Sequence, residues 1–161
     1  MALIYQTKNF IAESHEKSFV PRNEGGHIRI KIKDQSILDR TEVGPEVAIE
    51  LMRFTMLIGK ALEVGMNNRG VKVVKVNYQD MGNWAYKVPG KESFLHVHIM
   101  GRVWKAKNQP FPESVYLPDR KTGFYKGFRP LNSEDIKEIK KQINILLKQD
   151  KYQLRKWGLI E

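Results

Sequence analysis

The chain of 161 residues contains no cysteine. Disulfide bonds and thiolate zinc sites are therefore excluded. Histidine is scarce, with four in all. No stretch approaches the roughly 20 apolar residues of a membrane-spanning helix. The opening "MALIYQTKNF" has no basic segment followed by a long apolar one, as a signal peptide would. The expectation is a soluble, cytoplasmic protein with no membrane partner. Negative charge is also in short supply: 28 Lys and Arg face 18 Asp and Glu, a formal charge of +10. That balance favours anionic partners such as nucleotides, polyphosphates or nucleic acid, without choosing among them.

With 41% apolar residues the chain can bury a core. "NFIAESHEKSFVPR" reads as two short strands around a polar turn, anchored by Phe10, Ile11, Phe19 and Val20. In "NEGGHIRIKIK" the residues Ile28, Ile30 and Ile32 alternate with Arg29, Lys31 and Lys33, which predicts a half-buried strand with a basic outer face. "VGPEVAIELMRFTMLIGKALEVG" is the clearest helix. Gly44 serves as N-cap, Pro45 as first helical residue and Gly65 as the stop. Val47, Leu51, Phe54, Ile58 and Leu62 recur at helical spacing, with Met52 and Met56 read as core packing. "VKVVKVNYQD", "NWAYKV" and "FLHVHIMGRVW" read as further strands. From residue 106 a Pro-, Gly- and aromatic-rich segment reads as an ordered loop draped over the body. Ser133 then caps a helix with Ile136, Ile139, Ile143 and Leu146 on one face. The fold class is α+β: an antiparallel sheet of about five strands with one long helix and a C-terminal helical extension.

Half of the histidines fall in "FLHVHIMGR". Positions i and i+2 of a strand share a face, about 6.5–7 Å apart. His96 and His98 therefore stand together with Phe94 and Met100, opposite Leu95, Val97 and Ile99. Three chemistries fit this spacing: two ligands of a metal site, a nucleophile with a helper, or two half-buried rings with satisfied hydrogen bonds. A metal site would have to recruit His15 or His27, and Glu92 is the nearest carboxylate in sequence. Lys91, Arg102, Lys105 and Lys107 make the setting cationic, which disfavours a divalent metal and favours a phosphate.

"LHVHIMGR", preceded by "NYQDMGNWAY", "GGHIRIKIK" and "GPEVAIELM" in the family's order, resembles the signature of the histidine-triad superfamily over about residues 10 to 105. The resemblance divides the chain into a histidine-triad-like domain, 1–105, and a C-terminal loop and helix extension, 106–161, packed on the same domain. It implies that His98 matches the third triad histidine and His96 the middle one, the nucleophile. Phe94 then stands where the first triad histidine is expected. A register with His96 first would make His98 the nucleophile, but it places Arg102 and the preceding turn less well. The resemblance further makes His27, Asn77, Gln79, Asn83, Lys91, Ser93 and Arg102 candidate substrate-binding residues. It offers Ile11, Phe19 and Ile28 as an apolar pocket for a base.

The implied activity is that of a nucleotide hydrolase or nucleotidyl transferase. His96 would attack an α-phosphorus through a nucleotidyl-histidine intermediate, with no cofactor and no metal needed for that step. The implied partners are a nucleotide or dinucleoside polyphosphate substrate and a second copy of the chain as a homodimer. Two other readings stay open. One is a nucleotide- or RNA-binding protein that kept the fold and lost turnover, which Phe94 favours. The other is a metalloenzyme built on His96, His98 and His27.

Overall fold

A computed structural model describes residues 1–159. The last two residues of the 106–161 extension lie outside the described residues. Strands β1 (Leu3–Gln6), β2 (Phe10–Ser14), β3 (His27–Ile32), β4 (Val73–Asp80) and β5 (His96–Val103) form one antiparallel sheet in the order β1-β2-β3-β5-β4. Helix α1 (Pro45–Asn68) and helix α2 (Ser133–Leu146) complete the α+β architecture.

The two-residue alternation decides which face each side chain joins. Ile28, Ile30 and Ile32 of β3, Val97 and Ile99 of β5 and Leu95 just before β5 point to one face. There they meet Phe54, Leu57, Ile58, Ala61 and Leu62 of α1 and Ile139, Ile143 and Leu146 of α2. This is the main core. The opposite face carries the histidines and a smaller apolar cluster of Phe19, Val20, Met100 and Val115, bordered by Met81, Trp84, Leu117 and Tyr125.

Several expectations need correction. "NWAYKV" is not a strand: Asn83–Lys87 forms a short 3-10 turn closed by Ala85 N–H to Gly82 O and Val88 N–H to Ala85 O. Trp84 packs on Phe19 instead of alternating across a ladder. Phe19 and Val20 are apolar because they pack under the C-terminal extension, not because they pair. The fifth strand is instead β1, which pairs with β2 at one edge of the sheet. Gly65 does not stop α1. A Cβ there would come 2.9 Å from Ile139 Cγ1, so the glycine admits α2 at close approach. The helix ends three residues later, and Gly70 then turns the chain at φ +80°. Met52 is 57% exposed and is not core, whereas Met56 packs against it. The cap of α2 is Asn132 rather than Ser133: Asn132 Oδ1 accepts from Asp135 N–H, and Asp135 Oδ2 accepts from Asn132 N–H.

Residues beyond β5 are pinned across the histidine face by buried polar groups. Glu24, 3% exposed, accepts from the backbone N–H groups of Lys107, Asn108 and Gln109. Gln109 Nε2 donates to Phe19 O and Tyr116 O, and its Oε1 accepts from Tyr116 N–H. These bonds hold the loop down where apolar contacts alone would let it slide.

Candidate active site

Cross-strand register arranges the face opposite the helices in rows. Ile11, Lys31 and His96 form one row. Glu13, Arg29, His98 and Gln79 form the next, and His27, Met100 and Asn77 the third. His15 continues the parity of Glu13 past the end of β2, where its N–H donates to His27 O at 3.3 Å. All four histidines of the chain therefore meet. His15 stacks on His27 at 4.7 Å between centroids, His27 lies 5.0 Å from His98, and His98 stands edge to face with His96 at 4.9 Å.

Hydrogen bonds fix where the proton sits on His96, His27 and His98. A carbonyl oxygen only accepts, so the 2.7 Å contact between His96 Nδ1 and Phe94 O puts the hydrogen on Nδ1. In the neutral ring Nε2 is then bare, with its lone pair free. Phe19 N–H donates to His27 Nδ1 at 3.1 Å, so His27 carries its hydrogen on Nε2. That nitrogen faces His98 Nδ1 at 2.8 Å and donates to it. The hydrogen of neutral His98 therefore sits on its Nε2. The pair thus presents a bare nitrogen on His96 and an N–H donor on His98.

The surroundings keep these rings uncharged. Burial is the first cause for all four, since an imidazolium loses more than an imidazole on leaving water. It pushes His98 down to about 2, with the neighbouring His96, His15, Arg29 and Arg120 adding to it. His15 goes to about 4 through burial and then Arg29 and Arg120. His27, fully buried, is lowered well below its ordinary value. His96 is also lowered by burial, opposed by its hydrogen bond to Phe94 O.

The other candidates separate by position. Gln79 is in register with His98, and its Oε1 is buried without a hydrogen-bond partner. Ser93 lies against Gly82, where a Cβ would overlap it and come 3.9 Å from His96 Cε1, so both residues border the His96 ring. Asn83 is exposed on the turn just after, and its Oδ1 accepts from Gly82 N–H at 3.4 Å. Lys91 is exposed on a loop and lines a surface cavity of about 370 Å³ with Tyr86, Val88 and Pro89. Asn77 and Arg102 are committed to each other at 2.7 Å. Arg102, 1% exposed, also donates to Pro110 O, Glu113 O and Gln109 O, so its guanidinium straps down the loop beyond β5.

Ile11, Phe19 and Ile28 do not meet in one apolar pocket: only Ile11 stands in the row of His96. Ile28 belongs to the main core on the other face. Phe19 is packed on the rings of His15, His27 and His98. A second cavity of about 230 Å³ lies away from the histidines, among Thr7, Glu50, Arg53 and Leu159. Neither cavity is lined by a histidine. Among the described residues, no three His, Asp or Glu side chains are placed to hold one metal ion. No helix among them is long and apolar enough to cross a membrane.

Three features escaped the sequence. His15 completes the cluster, and only its parity with Glu13 hinted at that. Arg120 reaches over from the extension, with its Cζ 4.8 Å from the Phe19 ring centroid and 4.7 Å from that of Tyr125. Arg29 and Lys31 share the histidine face and both pair with Glu13.

No family model and no curated protein sequence matches the chain. Solved structures do. A hypothetical histidine triad nucleotide-binding protein from Sulfolobus tokodaii superposes with TM-score 0.59 at 16% identity, over 94% of this chain and 89% of that one. A Zn-bound histidine triad family protein from Mycobacterium smegmatis gives 0.57 at 16% identity, over 89% and 84%. A Hit-like protein involved in cell-cycle regulation from Bartonella henselae gives 0.56 at 16% identity, over 88% and 85%. At that identity the likeness is one of architecture: this chain has the histidine-triad fold.

Proposed function

We propose that the chain is a nucleotide hydrolase or nucleotidyl transferase acting at the α-phosphorus of a nucleotide conjugate. His96 is the nucleophile. The observation that carries this is the 2.7 Å bond from His96 Nδ1 to Phe94 O, which leaves Nε2 bare on a ring held neutral. The donor is matched by a backbone carbonyl, so the phenyl side chain at position 94 does not prevent it. In the first step Nε2 bonds to phosphorus and the phosphorus–leaving-group bond breaks, the departing atom keeping the electron pair. The Nε2–H of His98 stabilises charge on a non-bridging oxygen. In the second step water attacks phosphorus, the P–N bond breaks, a proton passes to solvent and a nucleoside monophosphate leaves. The fold shared with a nucleotide-binding histidine triad protein supports a nucleotide as substrate.

The test is covalent labelling. Incubation with a conjugate labelled in its α-phosphate, then acid-free denaturing electrophoresis, is expected to show label on the wild-type chain and none on His96→Ala. Turnover without any trappable label would remove the covalent route.

One observation favours a binding protein without turnover: His98 is 4% exposed and covered by Phe19. Tight nucleotide binding with no product over hours would establish that reading instead.

We also propose a homodimer through the open edge of the sheet. Tyr78 and Val74 of edge strand β4 are 48% and 43% exposed, and Ile49 and Met52 on α1 are exposed as well. Unpaired edges and exposed apolar side chains invite pairing with a second chain. Sedimentation equilibrium is expected to give twice the chain mass, and a monomer at micromolar concentration would reject the dimer.

A further inference from the structure

Strand β3 places two cations directly beside the candidate nucleophile. Lys31 is the register partner of His96 and Arg29 that of His98. Such partners lie about 4.5–5.5 Å apart at Cα, and by parity all four side chains leave the same face of the sheet. Both cations share one carboxylate. Arg29 Nη2 lies 2.5 Å and Lys31 Nζ 3.2 Å from Glu13, which is 6% exposed. The Arg29 and Lys31 side chains keep 17% and 22% exposure, so their heads are sheltered but reachable.

Two positive charges against one negative leave a local excess of one, next to rings that carry no charge. A sheltered ion network is a poor way to gain stability, because the desolvation of its charges offsets their attraction. Apolar side chains would serve better there if packing were the only task. Of the three residues offered for a base pocket, Ile28 points into the main core and Phe19 packs on the imidazoles, while Ile11 stands beside Lys31.

We propose that Arg29 and Lys31 form an anion subsite beside His96 and His98 that takes a phosphate of the substrate other than the one attacked. Glu13 holds both cations in place and tempers their charge until an anion displaces it. The substrate class follows: phosphoanhydride conjugates, whose leaving group is a phosphate chain, are favoured over phosphoramidates, whose leaving group is an amine. This rests on the nucleotidyl-transfer reading for the identity of the substrate but not for the existence of the subsite.

The probe is inorganic tripolyphosphate, with binding measured by calorimetry on the full chain. Lys31→Met keeps the stem and removes the charge, and is expected to weaken binding by about tenfold, the loss of one charge-assisted contact. Lys31→Arg is expected to restore it. Glu13→Gln is expected to tighten binding, because it frees both cations from their competitor. A purely structural ion network predicts changes in melting temperature for these variants and none in anion affinity. If Glu13→Gln does not fold, the Lys31 pair of variants decides alone. In turnover, the ratio of kcat/KM for a dinucleoside polyphosphate to that for a nucleoside phosphoramidate is expected to fall about tenfold in Lys31→Met. A wild type that turns over neither conjugate defeats the catalytic reading while the calorimetry still judges the subsite. Equal tripolyphosphate affinity in wild type and Lys31→Met, or no binding by the wild type, overturns the subsite. So does an equal loss for a single-stranded RNA oligomer, which would mark a surface for a nucleic-acid backbone.

Discussion

His96→Ala is expected to lower single-turnover cleavage of a nucleotide conjugate by on the order of 10⁴-fold, since it removes the atom that bonds to phosphorus. His98→Ala is expected to cost less, about 10²-fold, because its Nε2–H only stabilises charge that the backbone and nearby cations also meet. The order of the two losses tests the proton assignment. His96 donates through Nδ1 to Phe94 O and keeps Nε2 bare, whereas His98 accepts at Nδ1 from His27 and so carries its hydrogen on Nε2. A neutral imidazole has one lone pair to offer, and in His98 it is already spent on His27. His98 is therefore the wrong tautomer to attack. His27→Phe is expected to slow the reaction through His98 by releasing that tautomer, while leaving the label on His96. Phe94→His is expected to change little, because the group that orients His96 at position 94 is main-chain. If His98→Ala abolished labelling and His96→Ala did not, the nucleophile would move to residue 98 and the register with it.

Periodicity is the part of this fold that the sequence makes legible. The long helix opens at Pro45 as expected because its N-terminal signals are local, and the HxH pair lies on one strand face because the strand period is two. The sheet has the five strands expected overall, although two of the six runs read as strands are not strands and β1, unread in the sequence, joins the other four. Which face is which is not legible. Arg29 and Lys31 alternate with isoleucines, so a basic outer face can be read. Nothing local says that this face is the one His96 and His98 share. That depends on β3 and β5 being neighbours, a pairing between segments far apart in the chain. One clue exists: His27 has the parity of Arg29 and Lys31, and a histidine matched to the site carries its strand face with it. Arg102 misleads for the converse reason. It sits on the histidine face, yet its charge is consumed by carbonyls of the loop beyond β5, and acceptors of that kind leave no trace in sequence.

The histidine cluster should also govern stability in mild acid. In the unfolded chain each imidazole takes up a proton near pH ~6.5. In the folded chain His15 does so only near about 4 and His98 near about 2, and His27 is lowered well below its ordinary value. As pH falls below about 6.5 the unfolded state binds more protons than the folded one, so stability falls with it. The contribution is fully present above that value. It is lost down to about pH 4 for His15 and to about pH 2 for His98. Between pH 7 and pH 5 each ring that stays neutral costs up to about 2 kcal/mol, so the three together remove up to about 6 kcal/mol. That is a large part of the roughly 5–15 kcal/mol that holds a domain folded. Lowered carboxylates such as Glu13 and Asp135 weaken the fold only further down, where carboxylates themselves titrate, so the window above about pH 5 belongs to the histidines. Urea melts at pH 7, 6 and 5 are expected to show the midpoint falling steadily at constant slope. His15→Phe keeps a ring against His27 and Phe19 and removes one proton from the balance, so it is expected to cut the pH dependence by about a third. A midpoint that does not move between pH 7 and pH 5 would mean the four rings are open to water and protonate freely. An imidazolium at position 96 has no lone pair with which to attack phosphorus. The pH dependence of covalent labelling at His96, rather than the melts, therefore reads whether the fold keeps the nucleophile neutral.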